Sequence, residues 1–415
     1  MAGNIIIRNA NLFTPTGTKG ARGEEMRRIT HVGRATIIVR EGTIVYAGED
    51  AAAPSIDETG FEIIDAGGRA VVPGFVDSHT HLIFGGYRPD EFGWRLNGES
   101  YMSIMQRGGG IQSTVNSTRG ASAEELAEKA QWFIDRMIEM GVTTVEAKSG
   151  YGLDTESEVK MLDAIDILRE KNFGKIEIVG TFLGAHAVPE EFRGRTADYV
   201  DLIIKEMLPV VKDRARFFDI FTEKGVFEID DSRLLLNAAL DAGMQLKLHA
   251  DEIFTLGGAE LAAEMGAVSA DHLLHVSDEG IRLMAEKGVV ATLLPLTAFA
   301  LREPYAPARK FIEAGAAVAL ATDLNPGSCF SGSIPLTIAL ACIYMHMTVE
   351  ETLTALTLNG AAAVGLADKT GSIEKGKRGD LLILEFPELS MLPYYVGMNC
   401  VRTTIHDGHI AMSAQ

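Results

Sequence analysis

Residues 71–81 read Val-Val-Pro-Gly-Phe-Val-Asp-Ser-His-Thr-His. A short apolar, β-branched run closing on polar, titratable residues is what a strand buried on both faces looks like where its C-terminal end reaches a surface. The same shape returns seven times: VTTVEAK (142–148), IEIVGTFLGAH (176–186), FFDIFTE (217–223), LKLHADE (246–252), AVSADHLLH (267–275), VVATLLP (289–295) and VALATD (318–323). Amphipathic stretches lie between them. AEELAEKAQWFIDRMIEMG carries apolar residues at three- and four-residue spacing and stops at Gly141, and SEVKMLDAIDILREKNFG stops at Gly174. Eight strand and helix alternations predict an α/β fold, a (β/α)8 TIM barrel, over residues 71–366. LTALTLNGAAAVGL near its end fits core or interface. SGYG and RGGGIQST read as loops, and neither has the strand-to-helix placement of a dinucleotide fingerprint.

The two ends of the chain have a different texture. IIIRNANLF, ATIIVREGTIVYAG and GFEIIDAGGRAVV are short strand-like runs broken by Gly, Asn and Asp, and GSIEKGKRGDLLILE and NCVRTTIHDGHIA repeat the pattern near the C-terminus. Residues 1–70 and 367–415 are therefore expected to pair into one composite β-sandwich. A chain of 415 residues with 47% hydrophobic and 23% charged residues is an ordinary globular one. Its net charge of −19 argues against nucleic acid and anionic membranes as partners. MAGNIIIRNANLF has no basic segment leading into a long apolar run, and no stretch of about 18 apolar residues occurs, so a cytoplasmic protein is expected. Cys329, Cys342 and Cys400 show no Cys-x-x-Cys spacing and read as reduced thiols.

In a barrel of this kind the C-terminal strand ends carry the chemistry. Five runs finish there in candidate ligands or proton carriers: His79 and His81, His186, His249 with Glu252, His272, and Asp323. Residues i and i+2 of a strand face the same side, so His79 and His81 can present two imidazoles to one point. Adding His249 and Asp323 makes a three-nitrogen, one-oxygen set suited to Zn²⁺ or iron, with a position left for water. Satisfied core histidines are the alternative, but four such groups at one barrel end are costly to bury without a cation. A cation there brings the pKa of a water down to roughly 7, which makes water the expected nucleophile. No serine or cysteine sits in a nucleophile elbow, and Cys329 reads as packing. Glu252 stands where a carboxylate can shuttle a proton and His272 where an imidazole can polarise a carbonyl, or both only support the ligands.

PGFVDSHTHL, LHADE, Asp271-His272 and ATDLNPGS resemble the amidohydrolase superfamily of metal-dependent hydrolases, across essentially the whole chain. More narrowly, FGGYRPDEF, the RGGGI loop, AKSGYGL, FLGAHAVP and TDLNPGS are similar to the imidazolonepropionases, cyclic-amide hydrolases of histidine degradation that open 4-imidazolone-5-propanoate to N-formimidoyl-L-glutamate. The resemblance implies one Zn²⁺ or Fe²⁺/Fe³⁺ per subunit on His79, His81, His249 and Asp323, and a homodimer. It also implies substrate contacts from Arg88, Tyr151, His186, Glu252 and Ser328, with Asn325 and Gly327 against the ring-opened product. The physics agrees: a propanoate tail suits a forked guanidinium such as Arg88, seven residues beyond His81. Asn325, Pro326 and Gly327 form a tight turn whose backbone N–H groups can face an anion. The expected reaction adds water to the lactam carbonyl. Asp323 or Glu252, rather than His272, takes its proton, His272 steadies the oxyanion, and Glu252 or Asp323 protonates the departing ring nitrogen.

Two other functions fit parts of this pattern. An aminohydrolase acting on a purine, pyrimidine or triazine also places His-x-x-Glu after strand five, but it releases ammonia and has less use for Arg88. A binuclear relative needs a carboxylated lysine closing strand four, where FFDIFTEKG puts Lys224 beyond Glu223, in the loop. A metal-free scaffold needs the ligands to be missing, and all four are present.

Overall fold

A computed structural model describes residues 3–99 and 109–414, so Arg107 and Gly108 of the RGGGI stretch lie outside the described residues. The chain opens in β1 (Ile5–Thr14), β2 (Thr30–Arg40), β3 (Thr43–Glu49), β4 (Glu62–Asp65) and β5 (Ala70–Pro73). β1 changes partners halfway: Ile5–Arg8 run parallel to β4, and Asn11 and Leu12 parallel to β5, with register shifts around Ala10. The strand β5 crosses residue 70, the boundary expected between sandwich and barrel, and Gly74 separates it from the barrel.

The barrel follows as β6 (Phe75–Asp77), β7 (Val142–Lys148), β8 (Glu177–Ala185), β9 (Phe217–Thr222), β10 (Gln245–Ala250), β11 (Ser269–His272), β12 (Val290–Leu293) and β13 (Val318–Leu320). Each pairs in parallel with the next. All eight runs read as strands contain barrel strands, because each is buried on both faces and rich in apolar, β-branched residues. Side-chain and backbone bonds beyond the strand ends close the ring between β6 and β13. The Asp77 carboxylate accepts from Thr322 N at 2.9 Å and Thr322 Oγ1 at 2.6 Å, and Asp323 N donates to His79 O at 3.0 Å.

The helix Ala123–Glu139 begins at a capping box, Ser122 with Glu125, and buries Leu126, Ala130, Ile134 and Met137. The helix Thr155–Lys171 starts under an Asp154 cap. Ile111–Thr114 departs from expectation: read as loop, these residues open the helix Ile111–Gly120. Gly110, at φ +80°, turns the chain into it, and Thr114, Val115 and Thr118 bury its inner face. LTALTLNGAAAVGL is core, buried along most of the helices Val349–Leu356 and Leu358–Ala363.

The chain returns to the first sheet through β14 (Leu381–Leu384), β15 (Val401–His406) and β16 (His409–Ser413), giving the order β16-β15-β14-β5-β1-β2-β3 with β4 beside β1. The sheet folds back on itself: Ile44 N donates to Lys377 O at 2.8 Å and Gly379 N to Gly42 O at 2.7 Å. Ile5, Ile37, Ile44, Val71, Leu381 and Ile405 pack into one aliphatic core inside the fold. Arg378 fastens this unit to the barrel, pairing with Glu177 at 2.9 Å and donating to Thr144 Oγ1 at 3.1 Å. Among the described residues no helix is long and apolar enough to cross a membrane.

Candidate active site

Beyond β6 the chain stays extended, with Thr80 bridging to Leu324, so His79 and His81 turn the same way into the barrel mouth. Their Nε2 atoms lie 3.3 Å apart, and His249 Nε2, brought in by β10, lies 3.2 Å from His81 Nε2. Asp323 Oδ1 completes the group at 3.5 Å from His79 Nε2 and 3.6 Å from His81 Nε2. Asp323 is held at φ +53° and His272 at φ +75°, conformations that non-glycine residues adopt at a cost and that recur at functional sites.

Hydrogen bonds on the far side of the rings set their chemistry. His79 Nδ1–H donates to Asp271 Oδ2 at 2.6 Å and His249 Nδ1–H to Asp219 Oδ1 at 3.2 Å. With Nδ1 carrying the proton, each Nε2 presents its lone pair toward His81 Nε2, and Asp323 Oδ1 stands beside His79 and His81, an arrangement that is repulsive unless a cation sits between them. Zn–N bonds of about 2.0–2.1 Å in a tetrahedron imply ligand–ligand edges of about 3.3–3.4 Å. The four spacings above, 3.2 to 3.6 Å, are edges of that size; the ligand atoms of His79, His81 and Asp323 all lie within 4.8 Å of one another, and His249 joins them through His81. The residues present fit one cation. Burial holds His79 and His81 neutral, well below the ordinary imidazole value. Burial works the same way on His249, but Asp219 outweighs it and raises that ring.

Around this group lies a cavity of about 300 Å³ lined by Arg88, Tyr151, His186, Glu252, His272, Asn325, Gly327 and Ser328, with Glu91 and Arg95. Glu252 Oε1 is 3.5 Å from His272 Nδ1, the outer limit of a hydrogen bond. Burial, reinforced by the Asp323 charge, pushes the Glu252 carboxyl up to about 8, and burial raises Asp323 to about 6. Burial thus lifts both carboxyls out of the ordinary carboxylate range, and a cation held by Asp323 would draw that group back down. His186 stacks on His81, with ring centroids 4.9 Å apart, and burial lowers it to about 3. Tyr151 leans on both rings. Its loop is moulded by Glu158, a buried carboxylate accepting from the backbone of Gly150, Gly152 and Leu153.

Arg88 is engaged by Glu91: Nε and Nη2 reach Glu91 Oε2 at 2.9 and 2.6 Å, and the same carboxylate accepts from Gly110 N. A Cβ on residue 327 would stand 2.8 Å from Arg88 Nη1, so a side chain there would have to displace the guanidinium. Arg95 Nη2 donates to Gly327 O at 2.8 Å. One expectation is corrected. The N–H groups of the 325–328 turn do not face the cavity, because Asn325 Oδ1 accepts them, at 2.8 Å from Gly327 N and 2.7 Å from Ser328 N. Asn325 Nδ2 donates to Asp323 O at 2.8 Å and Ser328 Oγ at 3.0 Å, so this side chain shapes its own turn. Cys329 is buried against Thr322 O, and Lys224 lies in the loop after β9 and is exposed.

Sequence reasoning gave Asp271 no role beyond the motif it shares with His272, and it passed over Glu91, Arg95, Glu158 and the other charges beneath the ligands: Glu146, Lys148, Asp219 and Lys247. The last group carried a signal, since a charge inside a strand buried on both faces, as in VTTVEAK, FFDIFT and QLKLH, demands a partner.

Known proteins bear on this geometry in two ways. Residues 70–411 match the amidohydrolase family model. The chain is 58% identical over 415 residues to the imidazolonepropionase of Phocaeicola vulgatus, covering 100% of both chains. It is 58% identical to that of Bacteroides thetaiotaomicron, covering 98% of this chain and 99% of the relative. With that of Clostridium tetani it shares 55% identity, covering 98% of each. In fold it is similar to 5-methylcytosine deaminase from Klebsiella pneumoniae (TM-score 0.74, 19% identity, 99% and 98% covered). It is likewise similar to E. coli guanine deaminase (TM-score 0.73, 15% identity, 100% of both covered). The chain belongs to the amidohydrolase family, in the branch it forms with these imidazolonepropionases.

Proposed function

We propose that this chain hydrolyses the lactam C–N bond of 4-imidazolone-5-propanoate, giving N-formimidoyl-L-glutamate in histidine degradation. The full-length identity to imidazolonepropionases supports the substrate, and one structural observation supports the chemistry: three imidazole nitrogens and a carboxylate oxygen converging within 3.2–3.6 Å contacts beneath a cavity that holds Arg88.

His79, His81, His249 and Asp323 would hold the cation, zinc or iron, one per subunit. Such an ion acts as a Lewis acid and makes hydroxide available near neutral pH. Arg88 receives the propanoate carboxylate, and Glu91 keeps the guanidinium fork turned for it. Tyr151 and His186 line the place of the ring. Glu252 or Asp323 takes a proton from the attacking water, whose oxygen forms a bond to the lactam carbon. His272, held neutral by burial, donates a hydrogen bond to the oxyanion that develops on the substrate. A proton passed from Glu252 or Asp323 to the ring nitrogen lets the C–N bond break. Ser328 contacts the substrate, and Asn325 and Gly327, which line the same cavity, lie against the ring-opened product. The reading includes a homodimeric, cytoplasmic enzyme.

Supplying the imidazolone and following its ultraviolet absorbance together with formiminoglutamate tests the proposal. Loss of the first should match appearance of the second, with ammonia at background. Ammonia release without ring opening would overturn it in favour of a deaminase.

A further inference from the structure

Below the ligand group, Lys148 ends β7 inside the barrel with no exposed side-chain surface. Its Nζ lies 2.6 Å from Asp219 Oδ2, 2.8 Å from Glu146 Oε2 and 3.9 Å from Asp271 Oδ2. Two of these carboxylates are the ones that orient ligand histidines: Asp219 accepts from His249 and Asp271 from His79. Glu146 touches neither ring; its Oε1 accepts from Thr181 Oγ1 and faces Lys247. A buried ammonium is costly to desolvate, and an apolar side chain of similar volume fills a parallel barrel more cheaply. Neutralising buried carboxylates does not by itself distinguish Lys148, because Lys247 does the same, facing Glu146 at 3.2 Å and Asp271 at 3.6 Å. What sets the residue apart is that it reaches the supports of two ligands at once, on strands distant in sequence.

We propose that Lys148 is a positioning residue for the metal centre, an ammonium that pins Asp219, and Asp271 at longer range, and so fixes the ring orientations of His249 and His79. Asp219 works with both oxygens, Oδ2 on Lys148 and Oδ1 on His249. The link Lys148–Asp219–His249 is therefore continuous, and any change that breaks it lets the imidazole turn. Outer supports of metal-ligating histidines commonly govern affinity about 10- to 100-fold. The inference rests on the metal-centre reading above.

The test uses the full chain freed of metal and titrated with Zn²⁺ against a chromophoric chelator, with thermal unfolding of the metal-free protein measured alongside. Glu146→Gln alone removes a carboxylate that touches no ligand, and it should keep wild-type affinity. Lys148→Met combined with Glu146→Gln leaves the buried net charge as it was, but it should bind Zn²⁺ about 10- to 100-fold more weakly. At saturating Co²⁺ its visible ligand-field bands should differ from those of wild type, while those of Glu146→Gln should not. A folded double variant with wild-type affinity and an unchanged cobalt spectrum would overturn the proposal. If that variant does not fold, Asp219→Asn decides. An amide has one acceptor oxygen and must abandon either Lys148 or His249, so the same loss is expected and unaltered affinity is again the overturning result. A wild-type chain that binds no equivalent of Zn²⁺ would instead sink the metal-centre reading.

Discussion

The mixed sheet buries Ile5, Ile37, Ile44 and Ile405 against one another, whereas the barrel, also eight-stranded, buries Glu146, Lys148, Asp219, Lys247 and Asp271 in its interior. In the first, burial of apolar area stabilises directly, at about 25 cal/mol per Å². In the second, every charge must be matched by hydrogen bonds before it ceases to destabilise, and the matching specifies where each side chain points. Two pairs of positive-φ residues show the same contrast. The positive-φ residues Glu41 and Asp407 sit in two-residue hairpin turns with Gly42 and Gly408, as turn geometry requires. Asp323 and His272, by contrast, are strained at the groups that do the chemistry. One sheet holds the chain together, and the other spends stability on placing polar atoms.

The division is most easily broken at the ligands. His249→Ala or Asp323→Ala should abolish both metal content, by elemental analysis, and turnover, while leaving the mixed sheet folded. A variant without metal but with full activity would end the assignment of chemistry to the barrel mouth. Next comes Glu252→Gln, which keeps volume but cannot carry a proton. A drop in kcat of about 10²- to 10⁴-fold with metal content unchanged is expected. Full activity would move proton transfer to Asp323 alone.

Arg88→Ala should act on capture rather than on chemistry. Loss of a desolvated charge partner is worth about 2–5 kcal/mol, read as a raised KM at nearly constant kcat. Because Glu91 would then be left in the pocket as an uncompensated anion, Arg88→Ala combined with Glu91→Gln should recover part of the loss. An unchanged KM would take Arg88 out of the site.

The comparison also explains what could be read in the chain alone. Strands buried on both faces announce themselves as apolar runs, and a ligand at a strand end needs only its position in such a run, so the eight strands and the placing of His79, His81, His249 and Asp323 at their ends were legible. Lys148 and Asp219 stand 71 residues apart on different strands, and their meeting depends on inter-strand register and barrel closure, which no local pattern encodes. The Arg88–Glu91 pair was closer in sequence, but whether Arg88, which caps the start of the helix Pro89–Leu96, turns toward a cavity or toward solvent is decided by the fold. Asn325 illustrates a third limit. Its type suits both a turn and a ligand contact, and only the hydrogen-bond geometry shows that the turn consumes the side chain. The start of the helix Ile111–Gly120 was missed because Ile111 and Val115 are its only large apolar residues and its burial comes from tertiary packing.

The smallest expected effect lies at the seam between the two regions. Asp380 Oδ2 accepts from Arg378 Nε and Thr370 Oγ1, each at 2.7 Å, and Oδ1 meets His406 Nδ1 at 2.9 Å. Burial alone would raise this carboxyl, but Arg378 and His406 outweigh it and hold the group below the ordinary carboxylate range. Its folded value therefore lies beneath the unfolded value of about 3.9, and the stabilisation it contributes is complete above that pH and is lost as pH falls toward the folded value. Asp380→Asn should cost about 1.5–3 kcal/mol by denaturant unfolding at pH 7, a charge-assisted set weakened to a neutral one. The difference from wild type should shrink as the measurement is moved below pH 4. Metal content and kcat should not change, because Asp380 touches the sheet, Gly74 just before β6 through its backbone carbonyl and, through Arg378, the N-terminal ends of β7 and β8, all away from the cavity. A fall in kcat at unchanged metal content would show that the seam transmits to the ligands, and the separation between a sheet that holds and a sheet that works would have to be abandoned.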